Sequence, residues 1–276
     1  MELSVSEQLM YTTVRIECQY ADGAYGTGTG FFFRFLENKA EKSFVPVVIT
    51  NKHVVKNAIK GRLIFCTKKA DGMPDDNNHF ALYVDDFEKF WKMHRSTDVD
   101  LCAMPLMPLI NLAKSHGKEL FYFTFGVEDL PNRKLFNDVS VLEDIVMIGY
   151  PNGIWDEKNN KPIFRKGVTA TDIKYDYNGK KEFVIDAACF PGSSGSPVMI
   201  FNQGVFSDKH GTAYAGNRIK LLGVLYAGPQ HFAQGEVKTV VIPTVEKDIA
   251  ISSIPNNLGY VIKAERILEL QSLFRE

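Results

Sequence analysis

A serine flanked by glycines is the first residue of this 276-residue sequence whose surroundings suggest chemistry. Ser194 lies in the run GSSGSP at 192–197. A serine hydroxyl attacks a carbonyl only when a base removes its proton, and the oxyanion that forms needs hydrogen-bond donors beside it. Gly192 and Gly195 permit a tight turn in which main-chain amides converge. The run therefore predicts a nucleophile at Ser194 and an oxyanion hole built from Gly192, Ser193 and Ser194.

The base that such a serine needs is a histidine, and His53 is the best placed of the six. The apolar run 47–50 leads directly into it, so we expect His53 at the end of a buried strand, a rigid position that suits a catalytic group. The remaining five stand in polar or loop-like surroundings: His79, His94, His116, His210 and His231. His53 is therefore the predicted general base.

A buried carboxylate must hold the imidazole in the correct tautomer and stabilise the imidazolium. Asp100 directly precedes the apolar run 101–104, which favours it over Asp98, the nearby alternative. The resulting chain order is His53, Asp100, Ser194. An α/β-hydrolase would run Ser, Asp, His after a G-x-S-x-G turn, and Ser196 stands where that turn needs its last glycine. We therefore expect a different fold.

Short apolar, β-branched and aromatic runs must position these residues. Such runs are separated by Gly, Pro, Asn and Asp, a pattern typical of an all-β barrel or sandwich. They lie at 31–35, 45–49, 63–66, 121–125, 146–148, 183–185, 198–201, 221–225 and 239–242. The sequence therefore predicts an all-β fold.

Helical periodicity is confined to two segments. Ile267, Leu270 and Phe274 share one face of the C-terminal segment, with charged residues opposite, so an amphipathic helix is predicted there. Residues 106–116 predict a second helix, which ends at Gly117.

The overall composition narrows the classes of partner. The chain has 32 Lys and Arg against 33 Asp and Glu, a formal net charge of -1, so no overall field recruits nucleic acid or an anionic membrane. Apolar stretches are too short to span a bilayer, and the N-terminus lacks a secretory pattern. Cysteines and histidines lack metal-binding spacing, so we expect no metal and no cofactor.

Four cysteines are scattered singly along the chain: Cys18, Cys66, Cys102 and Cys189. At least three lie in apolar strand-like runs, which favours buried free thiols, although the even count leaves a disulfide open. Free thiols suit a reducing compartment, so the expected location is the cytoplasm.

The motifs together resemble those of trypsin-like serine peptidases. The run 192–197 resembles their G-x-S-G-[GS]-P motif, ITNKHVV at 49–55 resembles their T-x-x-H-V segment, and DLCAM at 100–104 is similar to their D-[LI]-A-[LV] strand. More of the chain is similar to the bacterial Htr/Deg-like branch: GTGF at 28–31, IGYPNG at 148–153, RKGVTA at 165–170 and GYVI at 259–262.

This resemblance implies a chymotrypsin-like fold of two packed antiparallel six-stranded β-barrels with a C-terminal helix. We expect a single domain at 1–276, with an N-terminal barrel at 12–130, a C-terminal barrel at 131–255 and a closing strand and helix at 256–276. The PDZ domains of many Htr-like enzymes are not expected. Lys52 stands where the family usually has alanine, which puts a cation near the triad.

The resemblance also implies where the substrate side chain is bound. The base of the pocket is expected six residues before the nucleophile, at Ala188, with one wall from Tyr226, Ala227 and Gly228. Leu225 stands where glutamate-selective relatives place a histidine. None of these residues carries an acid that would bind Arg or Lys, so a small or apolar P1 residue is predicted.

Three functions remain open at this stage. The first is a serine endopeptidase that cleaves protein or peptide substrates through an acyl-enzyme and is gated by a regulatory protein partner. The second is a protease-fold binding protein, or a latent enzyme whose oxyanion loop a partner must order. The third is an esterase that uses the same residues.

Overall fold

The strand-forming runs of the first half of the chain make one antiparallel sheet. The computed structural model describes residues 3–233 and 252–275. The seven strands of the sheet are β1 (Thr13–Tyr20), β2 (Tyr25–Asn38), β3 (Ser43–Thr50), β4 (Ala58–Lys68), β5 (Pro74–Asp85), β6 (Lys92–Met93) and β7 (Cys102–Pro105). Their spatial order is β5-β4-β1-β2-β3-β7-β6.

The second half forms a closed barrel. Its strands, with two short hairpin pairs, are β8 (Asp144–Gly149), β9 (Ile163–Thr169), β10 (Glu182–Asp186), β11 (Pro197–Asn202), β12 (Val205–Ser207), β13 (Ala213–Ala215), β14 (Arg218–Ala227), β15 (Gln230–Ala233), β16 (Ser252–Pro255) and β17 (Leu258–Lys263). Six of them close the barrel in the order β10-β17-β14-β11-β8-β9. The prediction of an all-β, chymotrypsin-like fold is confirmed.

Side chains on opposite faces of the first sheet belong to two different hydrophobic cores. Phe32 of β2 and Val48 of β3 face the core of the first sheet. Their neighbours Phe31, Val47 and Ile49 face a second core that also contains residues of β8, β11 and β17. Successive side chains of a strand point to opposite faces, so β2 and β3 are buried on both sides. The sheet and the barrel thus share one apolar interface.

Within residues 3–233 and 252–275, five short α-helices join or flank these strands. They are α1 (Val5–Leu9), α2 (Lys52–Val55), α3 (Met107–Ser115), α4 (Arg133–Asp138) and α5 (Glu265–Leu270). Helix α3 confirms the prediction for 106–116, and Gly117 after it has φ +67°. In the part of the chain that the structure describes, no helix has the length and apolar character needed to cross a membrane.

The C-terminal helix packs on the shared core. Ile267 and Leu270 are fully buried there, and the Phe274 ring, in the turn after α5, lies 5.6 Å from that of Phe35. The predicted amphipathic helix is therefore confirmed. Its apolar face packs against residues of both the first sheet and the barrel.

Two predicted strands have a different outcome. Residues 121–125 form no regular strand, and one isolated bridge, between Phe33 and Phe125, connects them to the first sheet. The amides of Phe121, Phe123 and Phe125 donate to carbonyls of three separate segments, so no continuous ladder forms. The first half is consequently a seven-stranded sheet, whereas the second half closes. The run 239–242 lies outside the described residues, and the predicted domain bounds stay a prediction.

Candidate active site

His53 and Asp100 lie where two neighbouring strands meet the surface. Strand β3 ends at Thr50 and α2 begins at Lys52, while Asp100 stands two residues before β7, the strand that pairs with β3. Between them Asn51, which is fully buried, donates from Nδ2 to the main-chain oxygen of Asp100 at 2.8 Å. This contact fixes the two functional segments to each other.

The Asp100 carboxylate holds His53 through both oxygens. Oδ2 lies 2.5 Å from Nδ1 of the imidazole, and Oδ1 accepts from the main-chain amide of His53 at 3.0 Å. A carboxylate oxygen accepts, so the ring proton resides on Nδ1 and Nε2 is left as a base. The His53 side chain is 48% exposed, which leaves the opposite edge of its ring open to solvent.

Asp98, the alternative carboxylate, points elsewhere. Its side chain is 78% exposed and lies 4.0 Å from the guanidinium of Arg266. A hydrogen bond from Ser96 lowers the pKa of the Asp98 carboxyl. Of the two carboxylates, Asp100 is the one in contact with His53.

Lys52 is tied down beside this pair. Its Nζ donates to the main-chain oxygen of Ser96 at 2.7 Å. Partial burial lowers the pKa of the Lys52 ammonium, and the negative charge of Asp100 opposes that shift.

The segment before Ser194 forms a tight turn that requires glycine. The amide of Ser193 donates to the carbonyl of Phe190 at 3.0 Å, and Gly192 has φ +87°. A turn with proline at its second residue and a left-handed third residue is a type II turn, which glycine fits best. A β-carbon on Gly192 would also lie 2.5 Å from the oxygen of Tyr150. The sequence requirement for Gly192 is therefore steric as well as conformational.

Neighbouring segments fix the carbonyl groups of this turn. The amide of Asn152 donates to the Pro191 oxygen at 2.5 Å, and the Thr29 hydroxyl donates to the Gly192 oxygen at 3.0 Å. The amide of Thr29 also donates to the Ser194 oxygen at 2.9 Å. Three carbonyl groups around the nucleophile are thus held from outside the turn, whereas the Ser193 carbonyl accepts from the amide of Ser196 within it, at 3.0 Å.

The main-chain amides of the predicted oxyanion hole fall into two groups. Among the described residues, those of Gly192 and Ser194 have no hydrogen-bond acceptor. The amide of Ser193 is used by Phe190, so Ser193 can contribute to the hole only as the spacer between the other two.

Ser194 is half-buried and lies at the mouth of a cavity. The structure contains no hydrogen bond between Ser194 and His53, or between Ser194 and any other described side chain. Of the three residues predicted from the sequence, His53 and Asp100 are hydrogen-bonded to each other. Ser194 lies in the nucleophile turn without a hydrogen bond to either of them.

The cavity beside Ser194 has a volume of about 260 Å³. Its lining residues are Cys189, Phe190, Pro191, Ser194, Leu225, Ala227, Gly228 and Pro229. Three of the predicted pocket residues, Leu225, Ala227 and Gly228, are among them. Ala188 and Tyr226 are not, and the Tyr226 hydroxyl donates instead to Glu182 at 2.9 Å.

The residues that line this cavity are uncharged, and they include Cys189. Burial raises the pKa of the Cys189 thiol to about 11, so this side chain is neutral at physiological pH. Arg165 stands outside the cavity, its guanidinium carbon 4.9 Å from the centre of the Phe190 ring.

Sequence reasoning missed the contributions of Thr29, Asn152 and Cys189. Thr29 and Asn152 both lie in runs already noted as similar to the Htr/Deg-like branch, which was the available signal. Their contacts with residues 191–194 join segments far apart in the chain, and no local pattern encodes such contacts.

Comparison with known proteins gives one family and several structures. The family described as "Trypsin-like peptidase domain" matches residues 28–206, more than half of the chain. No curated protein matches the chain at a significant level. Among solved structures, the active form of the Rv3671c protease from M. tuberculosis is 16% identical, with 95% of this chain and 80% of that chain covered and a TM-score of 0.44.

Two further structures are similar. The HtrA-type protease AlgW, solved with a tripeptide, is 15% identical over 96% of this chain and 61% of that chain, with a TM-score of 0.47. Deg5 is 18% identical over 82% of this chain and 88% of that chain, with a TM-score of 0.44.

Proposed function

The chain belongs to the trypsin-like peptidase family, and on that premise we propose that Ser194, His53 and Asp100 are its catalytic triad. As a member of that family it is a serine endopeptidase, and its substrates are proteins or peptides. The observation that carries the triad assignment is the double contact of the Asp100 carboxylate with the ring and the amide of His53.

In the proposed reaction, the Ser194 hydroxyl oxygen attacks the carbonyl carbon of the scissile peptide bond. Nε2 of His53 takes the hydroxyl proton, and Asp100 stabilises the imidazolium through Nδ1. The tetrahedral intermediate collapses, the C–N bond breaks, and His53 returns the proton to the leaving amine. Water then attacks the acyl-enzyme by the same route and regenerates Ser194.

The amides of Gly192 and Ser194 are the proposed oxyanion donors, with Ser193 between them. Their lack of an acceptor among the described residues supports this role, because the donors must be free when charge develops on the carbonyl oxygen. The fixed carbonyl groups of the turn support it as well, since donors held in place need no reorganisation during the reaction.

A small or apolar P1 residue is the proposed preference. The uncharged lining of the 260 Å³ cavity supports it, because an ionised P1 side chain would lose its hydration there without gaining a partner. Cys189 is proposed as a further pocket residue, because it lines the cavity whereas Ala188 and Tyr226 do not.

Gating by a partner protein is the proposed control. Ser194 and His53 form no hydrogen bond in the described structure, which supports a resting state in which this last contact of the triad forms only when substrate or a partner binds. Catalytic hydrogen bonds often shorten only in the substrate complex. Kinetic measurements with and without a partner therefore distinguish a latent enzyme from one that is always active. A partner that raises kcat would support gating.

A cytoplasmic location is also proposed. All four cysteines are free thiols, and burial raises the pKa of the Cys66 and Cys18 thiols to about 11 and about 12. Trapping thiols in intact cells with an alkylating reagent, followed by mass spectrometry, tests this: we expect four reduced cysteines in the cytoplasmic fraction.

Cleavage of a peptide library by matched variants tests the function. We expect Ser194→Ala and His53→Ala to abolish cleavage, and Asp100→Asn to lower kcat by about 10⁴-fold, because the wrong tautomer of the base is then favoured. Asp98→Asn is the matched control and should cleave like the parent. Ester hydrolysis without peptide cleavage would favour the esterase, and an unchanged Ser194→Ala variant would overturn the proposal.

A further inference from the structure

The loop at 150–155 controls one peptide group of the nucleophile turn. Through its Asn152 amide it holds the Pro191 oxygen at 2.5 Å. The described residues contain no cis peptide bond, so the N–H of Gly192 points away from the Pro191 carbonyl to which it is joined. The position of Asn152 therefore sets the direction of one proposed oxyanion donor.

This loop has a backbone shape that needs external support. Asn152 and Gly153 are consecutive left-handed residues, with φ +50° and φ +68°. Within the loop, two turn hydrogen bonds run from Gly153 to Tyr150 at 3.1 Å and from Ile154 to Pro151 at 2.8 Å. Left-handed conformations persist where surrounding structure holds them, so a contact with the loop is expected to matter.

Arg15 of β1 supplies that contact from the opposite half of the molecule. The residue is 7% exposed, and its Nη1 donates to the main-chain oxygen of Gly153. The guanidinium carbon lies 3.5 Å from the centre of the Trp155 ring, a cation–π stacking distance. Arg15 thus contacts the loop at two residues that follow Asn152, Gly153 and Trp155.

Glu17 sets the direction of the Arg15 side chain. Its Oε1 accepts from Nε of Arg15 at 2.9 Å, which leaves the far end of the guanidinium facing the loop. The planar fork of an arginine can make the ion pair, the carbonyl contact and the ring stack together, whereas a lysine cannot.

We propose that Arg15, stacked on Trp155, is a positioning residue that holds the 150–155 loop so that Asn152 keeps the Gly192 amide directed at the oxyanion. The inference rests on the proposed serine peptidase function. The contacts of Arg15 are with Glu17, Gly153 and Trp155, and none of them is with the proposed triad. Its effect passes through two main-chain groups, Gly153 to the loop and Asn152 to the Pro191 oxygen.

The consequence is a kinetic signature. Without the Arg15 contacts, the Pro191–Gly192 peptide can rotate. The Gly192 amide, one of the two proposed oxyanion donors, then points away from the oxyanion for part of the time. Removal of one such donor lowers kcat by about 10²–10³-fold in other enzymes, so a partial misdirection should lower it by about 10- to 100-fold. Substrate binding in the 260 Å³ cavity does not use this amide, so KM should stay within about twofold.

The experiment measures kcat, KM and the melting temperature for Arg15→Met, Arg15→Lys and Trp155→Leu in the full chain. Arg34→Met is the matched control, because Arg34 also reaches from the first sheet to a main-chain oxygen, that of Thr124 at 2.9 Å, far from the nucleophile turn. We expect a fall in kcat for the first three variants, smaller for Arg15→Lys than for Arg15→Met, and parent values for the control.

The possible results distinguish failure of the Arg15 proposal from failure of the proposed serine peptidase function. If Arg15→Met does not fold, Trp155→Leu alone decides, because it removes one half-buried ring and leaves the ion pair with Glu17. An unchanged kcat in the folded variants overturns the positioning role. A rise in KM equal to the fall in kcat/KM overturns it as well. A parent protein that cleaves no peptide and has an unreactive Ser194 would instead remove the proposed function.

Discussion

The hydroxyl of Thr29 donates to the carbonyl of Gly192 at 3.0 Å and accepts from the amide of Tyr150 at 3.1 Å. One buried oxygen therefore links strand β2, the end of β8 and the nucleophile turn. Because Thr29 is fully buried, both partners would lose their hydrogen bond without access to water if this hydroxyl were removed.

Thr29→Val should accordingly damage both stability and activity. A buried group left without its partner costs about 1–3 kcal/mol, and two groups lose theirs, so the free energy of unfolding should fall by about 2–6 kcal/mol. We also expect a lower kcat, since the Gly192 peptide loses one of its supports. Urea denaturation and steady-state kinetics measure the two effects. Thr29→Ser keeps the hydroxyl and is the matched control, and equal damage in that variant would contradict the hydrogen-bond explanation.

Ser193→Ala should have the opposite effect on stability. The Ser193 side chain is 1% exposed, and its hydroxyl has no hydrogen-bond partner among the described residues. Loss of an unpartnered buried hydroxyl removes its desolvation cost, so the melting temperature should stay level or rise. The main-chain amides remain, so peptide cleavage should continue. A clear drop in melting temperature would mean that the hydroxyl has a partner.

Stability should also depend on pH through His94. Its Nδ1 accepts from the amide of Ser96 and its Nε2 contacts Glu269, both at 3.1 Å. Burial lowers the pKa of His94 below 6.5, and the nearby Arg266 and Lys52 act in the same direction, while Glu269 opposes them. The neutral ring is thus favoured in the folded chain.

The sign of this dependence follows from proton binding. Below about pH 6.5 the unfolded chain binds a proton at His94 that the folded chain resists, so the free energy of unfolding falls as the pH falls through the folded pKa. Denaturation curves at pH 5 to 8 should show a steeper dependence for the parent than for His94→Gln. Parallel dependence in the two proteins would remove His94 as the cause.

A larger residue at the cavity wall should change the P1 preference. Ala227→Leu places a branched side chain beside Leu225 and Gly228, which narrows the cavity. We expect kcat/KM to fall more for a Leu P1 residue than for an Ala P1 residue. A misfit of one methylene is worth about 10- to 200-fold in such pockets. Peptides that differ only at P1 provide the measurement, and equal losses for both would place the P1 residue elsewhere.

The sequence predicted the parts of this structure that local patterns encode. Short apolar, β-branched and aromatic runs predicted β2 and β3, and the spacing of Ile267 and Leu270 predicted α5. The adjacency of Asp100 to a buried strand favoured it over Asp98, in agreement with its contact with His53. Each of these patterns is contained within a few consecutive residues.

The sequence did not predict features that depend on contacts between distant residues, or on which of two neighbouring residues faces a cavity. Arg15 and Gly153 are 138 residues apart in the chain, and neither stands out within its own strand or loop. The predicted pocket base, Ala188, stays a prediction; its neighbour Cys189 lines the cavity, and in an irregular segment a difference of one residue changes which side chain faces inward. Residues 121–125 have strand composition, but their partners are spread over three segments.

The proposed function depends on Ser194 being a nucleophile that His53 and Asp100 activate. Reaction of the purified protein with a fluorophosphonate, followed by peptide mapping, tests it most directly. We expect one adduct, on Ser194, which is lost in His53→Ala and retained in Ser196→Ala. An adduct on another serine, or one that forms on Ser194 at the same rate without His53, would contradict it.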